Sequence, residues 1–295
     1  MANTGNAGID SATLQAAMVQ FQDLLAQNEQ LLNDLNVYPV PDSDTGSNTL
    51  HTLKAGIATT VGHASDVGEY ATALATGAAK SALGNSGVIL AQYLQGLAQG
   101  LSQIETTDQC SPSEWQQSLE QAAVVARESV LTPAEGTMLT IADAAANVAV
   151  QSDFQKYCQA VQIAVRAAVI ETQNLLPELV AAEVIDSGAL ALSFFHDSVA
   201  IIFGASAVPL EIATRKPVAA SYSGPTFELM FSVACSQAIK VEIESKIASL
   251  GESIAISGAE PNFNLHIHTN EPDKVIASCE DQVEITNIRI SELGN

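Results

Sequence analysis

Two carboxylates stand two residues apart in the stretch Leu35-Asn36-Val37-Tyr38-Pro39-Val40-Pro41-Asp42-Ser43-Asp44-Thr45-Gly46-Ser47-Asn48. The two prolines stiffen the approach, and each pushes the residue before it towards extended geometry. Asp42 and Asp44 are thus presented together, with the Asn36 amide carbonyl upstream. Clustered oxygen ligands of this kind suit a hard cation such as Mg²⁺. The same string also makes an ordinary Asx turn between two helices, and spacing alone does not separate the readings.

Three further stretches carry small polar residues at expected helix starts: Gly84-Asn85-Ser86-Gly87, Glu135-Gly136-Thr137-Met138-Leu139 and Asp186-Ser187-Gly188. Glycines there allow a phosphate close to backbone N–H groups, and a helix N-terminus favours an anion. Ordinary turns and caps account for the same residues. Later, Leu265-His266-Ile267-His268-Thr269 alternates histidines along an expected strand. Residues at i and i+2 share a face, so both imidazoles suit a single Zn²⁺, with Cys235 or Glu228 as third ligand. A polar strand face is the alternative. No Walker loop, GxGxxG or kinase HRD set is present, nor a legible Ser/His/Asp or Cys/His arrangement.

Composition narrows the function classes. Eleven basic residues face 33 acidic ones, a formal charge of −22. Such a surface repels nucleic acid and anionic lipid. Any bound polyphosphate needs metal ions and backbone N–H groups to balance it. Cys110, Cys158, Cys235 and Cys279 are widely spaced and form no CxxC, which fits a reducing cytoplasm better than a disulfide framework. Nothing at the N-terminus resembles a signal peptide. The apolar run 189–207 is broken by His196 and Asp197, so it reads as a buried helix and no membrane insertion is expected.

The elements that position these residues follow from periodicity. Apolar residues at helical spacing predict helices over 9–34, 49–60, 65–80, 86–101, 111–131, 136–151, 154–172 and 187–203, about eight in all. Ser111-Pro112-Ser113-Glu114 is a strong helix start. If the helices alternate in direction, the four small-residue loops gather at one end. Residues 208–223 contain Pro209 and Pro217 and read as a linker between a helical domain (9–207) and a second domain (224–295). In the second, the order β-α-β-β-α-β predicts a split βαβ pattern. An exposed face of that sheet would offer a route to a homodimer.

The motifs LNVYPVPDSDTGSN, LGNSGVILAQ, PAEGTMLT and IDSGAL, in this order, resemble the dihydroxyacetone-kinase nucleotide-binding (DhaL) domain. The likeness is greatest to the form found in bacterial fatty acid kinase catalytic subunits. It covers roughly residues 10–205, and LHIHTNEP is similar to the domain that follows in those subunits. The resemblance implies a mainly α fold, an eight-helix antiparallel barrel followed by the small α+β domain. It also implies an ATP-dependent kinase of glycerone kinase or fatty acid kinase type, binding ATP or ADP with Mg²⁺ at the loop end. By resemblance, Asp42 and Asp44 bridge Mg²⁺ to the phosphates and Asn36 fills the upstream ligand position. Thr45, Ser47, Asn48, Asn85, Ser86 and Gly87 fall on phosphate contacts, Thr137 and Met138 on a nucleotide loop, and Asp186 with Gly188 on the last loop. His266 and His268 match metal-binding histidines.

The same resemblance expects glycine at Ser43, arginine at Leu83 and Gln95, a glycine-rich run at 187–190 and a cysteine near Thr226. The acceptor is expected to arrive on another protein, since no lipid pocket is legible. Fatty acid kinase subunits carry a further C-terminal region that engages the lipid-carrying partner, and Asn295 ends this chain before it. A nucleotide- or metal-binding module without catalysis is the alternative.

Overall fold

The structure is a computed structural model that describes residues 8–62, 66–104, 109–206 and 224–293. The expected linker 208–223 lies outside the described residues. Ten helices come first: α1 (Ser11–Gln27), α2 (Glu29–Asp34), α3 (Thr45–Thr59), α4 (Val67–Lys80), α5 (Gly84–Leu101), α6 (Pro112–Glu128), α7 (Met138–Ala146), α8 (Phe154–Glu171), α9 (Pro177–Ala182) and α10 (Ser187–Ile202). Setting aside the six-residue α2 and α9, eight longer helices remain. Each packs on the next, and α10 returns to α1, so they close into a ring. The expected single helix over 9–34 is broken at Asn28, whose Nδ2 donates to the Leu24 carbonyl at 2.8 Å while its backbone N–H is shared between the Leu24 and Leu25 carbonyls at 3.2 Å. α3 starts at Thr45, four residues before the expected Thr49, because the side chains of Asn33 and Asn36 cap its first turn.

α10 is apolar nearly all round, and such a helix must be covered on every side. It packs on α1, α2, α3, α7 and α8. Phe21, Trp115 and Tyr93 ring its Phe195 at 5.8–6.3 Å between ring centres. The two ionisable residues in the run are each paired. Asp197 accepts from Arg166 Nε and Gln162 Nε2, both at 3.1 Å. His196 Nε2 lies 3.3 Å from the Tyr93 hydroxyl. No helix among the described residues is long and apolar enough to cross a membrane.

Burial pushes His196 down to about 3. An exposed imidazole titrates near 6.5, so the unfolded chain takes up the proton first. Stability from this site is complete above about pH 6.5 and falls as pH drops towards 3, by about 2 kcal/mol at pH 5. Urea unfolding at pH 7 and pH 5 should show that loss in the wild type and a smaller one in His196→Gln. Equal losses would clear His196 of the effect.

The C-terminal part runs β1 (Phe227–Ala234), α11 (Gln237–Ile247), β2 (Glu252–Ala259), β3 (Asn262–Thr269), α12 (Pro272–Glu280) and β4 (Ile285–Glu292). The sheet order is β2-β3-β1-β4, with every neighbouring pair antiparallel. That is the split βαβ arrangement. Leu229, Phe231, Ile256, Leu265 and Ile267 form one face and share a core with Ile243, Ile247, Val275 and Cys279 of α11 and α12. The other face turns towards the helices: β2 packs on α4 and α5, and Ala255 joins the helical core. Over β2 and β3 the face expected to serve a homodimer is covered, because α4 and α5 pack on β2 and α5 on β3.

Backbone pairing ties the two parts together. Leu131 N–H donates to the Ile254 carbonyl at 3.1 Å, and Ile256 N–H to that of Ser129 at 2.9 Å. Residues 129–131 thus add a short rung to the free edge of β2. Asn264 Nδ2 donates to the Ala79 carbonyl at 2.8 Å.

Candidate functional site

The N-termini of α3, α5, α7 and α10 open on one cavity of about 480 Å³. That is the size of a small-ligand pocket. Four helix dipoles with their positive ends inward favour a bound anion. Asn36, Asp42, Asp44, Thr45, Asn85, Ser86, Thr137, Met138, Asp186, Gly188 and His268 all line it. Ser47, Asn48, Gly87 and His266 do not. Ser47 turns towards α2, donating to Glu29 Oε1 at 2.9 Å and accepting from Asn33 Nδ2 at 3.0 Å. Gly87 lies where α5 crosses α3; a Cβ there would stand 2.5 Å from Thr52 Oγ1.

The α3 turn is held by two asparagines. Asn36 Oδ1 accepts from the N–H groups of Asp44 (3.1 Å) and Thr45 (3.0 Å) and from the Thr45 hydroxyl (2.8 Å). Its Nδ2 donates to the Val40 carbonyl at 2.8 Å. Asn33 Oδ1 takes the N–H groups of Gly46 and Ser47. A carbonyl oxygen with three donors has no lone pair left. Asn36 therefore pins the loop in this structure instead of facing a cation. Between the aspartates, Ser43 sits at φ 58°, the left-handed region where glycine is at ease and serine is strained.

Electrostatics single out the carboxylate pair. Asp42 is held well above the usual carboxylate range, first by desolvation, then by Asp44 and Glu228. Asp44 is raised as well, desolvation leading, while a hydrogen bond from Asn48 pulls the other way. Two acids that resist ionising together are poised to accept a cation. Asp186 is a different case. Its Oδ1 accepts from Ala189 N–H at 2.6 Å and caps α10, while burial pushes it up to about 7. Thr137 caps α7 in the same way, accepting from Leu139 N–H at 3.3 Å.

Among the described residues one of these four helix starts has no hydrogen-bonded side chain of its own or from a neighbouring loop: α5. Gly84 has φ +58°, and a Cβ there would stand 2.5 Å from Asn48 Nδ2. Only glycine lets Asn48 lie between the Asp44 carboxylate and this turn. The N–H groups of Asn85 and Ser86 thus remain the backbone donors at the cavity. Among the described residues no Lys or Arg lines it, against six carboxylates: Asp42, Asp44, Glu178, Asp186, Glu228 and Glu252.

The sheet supplies one wall through Glu228, Glu252, Ser253, Ile254 and His268. Strand pairing sets Glu228 opposite His268 and Met230 opposite His266. The ligand atoms of Glu228, His266 and His268 lie within 4.8 Å of one another. Two histidines and a carboxylate suit Zn²⁺ with a further position open. His266 Nδ1 is 3.1 Å from the Ser253 carbonyl, the outer contact that orients a metal-binding imidazole. Its Nε2 is 2.9 Å from Glu228 Oε1, and the buried His268 Nδ1 has no hydrogen-bond partner. These donors fit a divalent cation. Burial first, then His266, pushes His268 down to about 3, so it stays neutral and able to ligate. Of the two candidate third ligands, Glu228 is in place. Cys235 sits at the far end of the strand, its N–H on the Pro261 carbonyl.

Glu178, Glu252 and Ser253 were not legible as site residues, because docking of the sheet brings the last two in and no local pattern encodes docking. Tyr38 lay within the opening motif but has no metal-ligand chemistry to mark it. It lines the cavity with its phenol pushed up by burial and by Glu178, Asp186 and Glu252.

Residues 39–200 match the family model described as the DAK2 domain, and residues 224–295 match that of the middle domain of A-like fatty acid kinase subunits. Protein YloV of Bacillus subtilis (strain 168) is 26% identical over 310 residues, covering 97% of this chain and 56% of that protein. Uncharacterized protein SSP1546 of Staphylococcus saprophyticus is 25% identical over 308 residues, covering 97% and 55%. Uncharacterized protein SAB1090 of Staphylococcus aureus is 24% identical over 299 residues, covering 94% and 54%. The chain spans about half the length of these relatives.

Proposed function

The chain belongs to the DAK2-domain family, and from that membership we propose that it is an ATP-dependent phosphotransferase of the dihydroxyacetone kinase and fatty acid kinase type. The observation that carries the reading is the meeting of four helix N-termini and the Asp42–Asp44 pair in one cavity that no Lys or Arg lines among the described residues. Residues 9–207 form the nucleotide-binding domain and 224–295 the second domain that walls it.

Asp42 and Asp44 hold Mg²⁺. Bound there, the ions supply charge neutralisation across the phosphates. The uncapped turn Gly84–Ser86 presents its backbone N–H groups to a phosphate, and Thr45 and Asn48 keep the turn and the carboxylates in register. Met138 and Leu139 offer apolar surface to the base. Asn36 acts through the loop it pins. Catalysis in this arrangement is positioning and electrostatics, with no protein nucleophile. Glu228, His266 and His268 bind Zn²⁺ beside the nucleotide. The acceptor, a protein-bound fatty acid or dihydroxyacetone, reaches the open side on a partner. Four free cysteines, all buried, accord with a cytoplasmic location.

One observation favours a second reading, nucleotide binding without transfer. Leu83 and Gln95 stand where the resemblance expects arginines, and among the described residues no Lys or Arg lines the cavity. ATP consumption by the purified chain with Mg²⁺ separates the two. It should be measured with dihydroxyacetone and with fatty acid on a carrier protein, after elemental analysis of the same preparation. Acceptor-dependent ADP release with stoichiometric zinc is the expected result. Tight nucleotide binding with no transfer to either acceptor would leave the second reading, and a zinc-free preparation would remove the Zn²⁺ assignment.

A further inference from the structure

Between the rung at 129–131 and the start of α7, residues 132–136 make no backbone-to-backbone hydrogen bond among the described residues. Yet Thr132, Ala134, Thr137, Met138 and Leu139 line one side of the cavity. Side chains hold this stretch in place. Thr137 Oγ1 donates to the Ala134 carbonyl, and the Gly136 N–H donates to Thr140 Oγ1, both at 2.8 Å. Thr140 Oγ1 in turn donates to Glu135 Oε2 at 2.7 Å. Glu135 Oε1 lies 2.9 Å from Nη1 of Arg127, near the C-terminal end of α6, and Nη2 of the same guanidinium donates to Asp143 of α7. The bonds converge on Glu135, and one cation joins the loop to both helices.

Charge explains why that cation matters. Glu135 and Asp143 both lie within bonding reach of one guanidinium, so without it two carboxylates would face each other at short range and repel. Among the described residues no other basic side chain pairs with 132–139. The planar fork of arginine serves two carboxylates at once, which a single ammonium does less well. Lone surface ion pairs contribute little, but a network in which one fork fixes two elements escapes that rule. Arg127 itself is not among the residues that line the cavity.

We propose that Arg127 is a positioning residue for the nucleoside half of the bound nucleotide, acting through Glu135 and Asp143 on the stretch 132–139 and touching no ligand itself. The inference rests on the nucleotide reading of the cavity. In that reading the phosphates sit at the Gly84–Ser86 turn beside Asp42 and Asp44, whereas Met138 and Leu139 meet the base. The latch on 132–139 therefore acts on the base side alone. It sets affinity for a whole nucleotide and leaves affinity for the bare phosphates as it is.

Isothermal calorimetry of the full 295-residue chain with Mg²⁺ and either ADP or inorganic pyrophosphate tests this. Arg127→Gln should weaken ADP binding about fivefold and leave pyrophosphate binding unchanged, with Arg127→Lys in between. Glu135→Gln should act in the same sense, and R127Q/E135Q should be no worse than R127Q alone, because both exchanges break one link. The Arg127 and Glu135 side chains are 32% and 62% exposed, so neither exchange opens the core, and thermal melts confirm folding of each variant. A wild type that binds neither ligand removes the nucleotide reading and this proposal with it. A wild type that binds both, with ADP affinity unchanged in Arg127→Gln, overturns the proposal alone. So does an equal loss of ADP and pyrophosphate, the mark of a general loosening, and so do additive losses in the double variant.

Discussion

Replacing Asp42 and Asp44 together by alanine is expected to weaken Mg²⁺–nucleotide binding by at least about 100-fold while raising the melting temperature of the ligand-free protein. Both effects have one cause. The pair is crowded, partly desolvated and close to Glu228, so each carboxylate is held above its ordinary range. A carboxyl whose folded pKa is raised binds protons more readily when folded. Stability from it is therefore lost as pH rises from about 4 towards about 8. Alanine removes that penalty together with the ligands. The ligand-free wild type should accordingly lose melting temperature across this range more steeply than the double variant, and added Mg²⁺ should recover most of it at the alkaline end. Isothermal calorimetry with ADP and scanning calorimetry at several pH values check the two halves. Nucleotide binding that survives in the double variant would sink the metal assignment.

Asn36→Ala is expected to do the reverse to stability. It leaves three donors on buried or half-buried atoms without their acceptor, and the Val40 carbonyl without its donor. Unsatisfied buried polar groups cost about 1–3 kcal/mol each, though neighbouring losses do not simply add. A loss of about 3 kcal/mol is a reasonable centre. Nucleotide affinity should fall with it, because the loop that presents Asp42 and Asp44 loses its anchor. The sign is what distinguishes a pin from a ligand. If Asn36 were chiefly a metal ligand, its removal would leave the ligand-free melting temperature where it was. Urea unfolding of Asn36→Ala beside the Asp42/Asp44 double variant gives the comparison directly.

Much of this was legible in the chain, for physical reasons that also mark where legibility stopped. Helix starts carry local chemistry, so Ser111 with Glu114 could be read as the capping box the structure contains. Strand alternation put His266 and His268 on one face before any fold was known. Asn36 was visible as a polar residue ahead of two aspartates, yet its partners lie up to nine residues on, and spacing does not say whether an amide faces a cation or a backbone. Ser47 looked like a phosphate contact, but its hydroxyl is drawn off by Glu29 from another helix. Glu252 and Ser253 reach the cavity only because residues 129–131 pair with the edge of β2, a tertiary event without a local signal.

That pairing also changes what counts as a part of this protein. The rung between 129–131 and β2 fastens the stretch that leads into the Thr137–Met138 turn, so one side of the cavity hangs from the sheet. Cut away from the sheet, the helical body would keep its four converging N-termini but lose the wall bearing Glu228 and His268, and the seat filled by Ala255 would lie open to water. A fragment trimmed to the helices is half a vessel. Engineering that treats the two segments as interchangeable modules would have to graft the seam along with them.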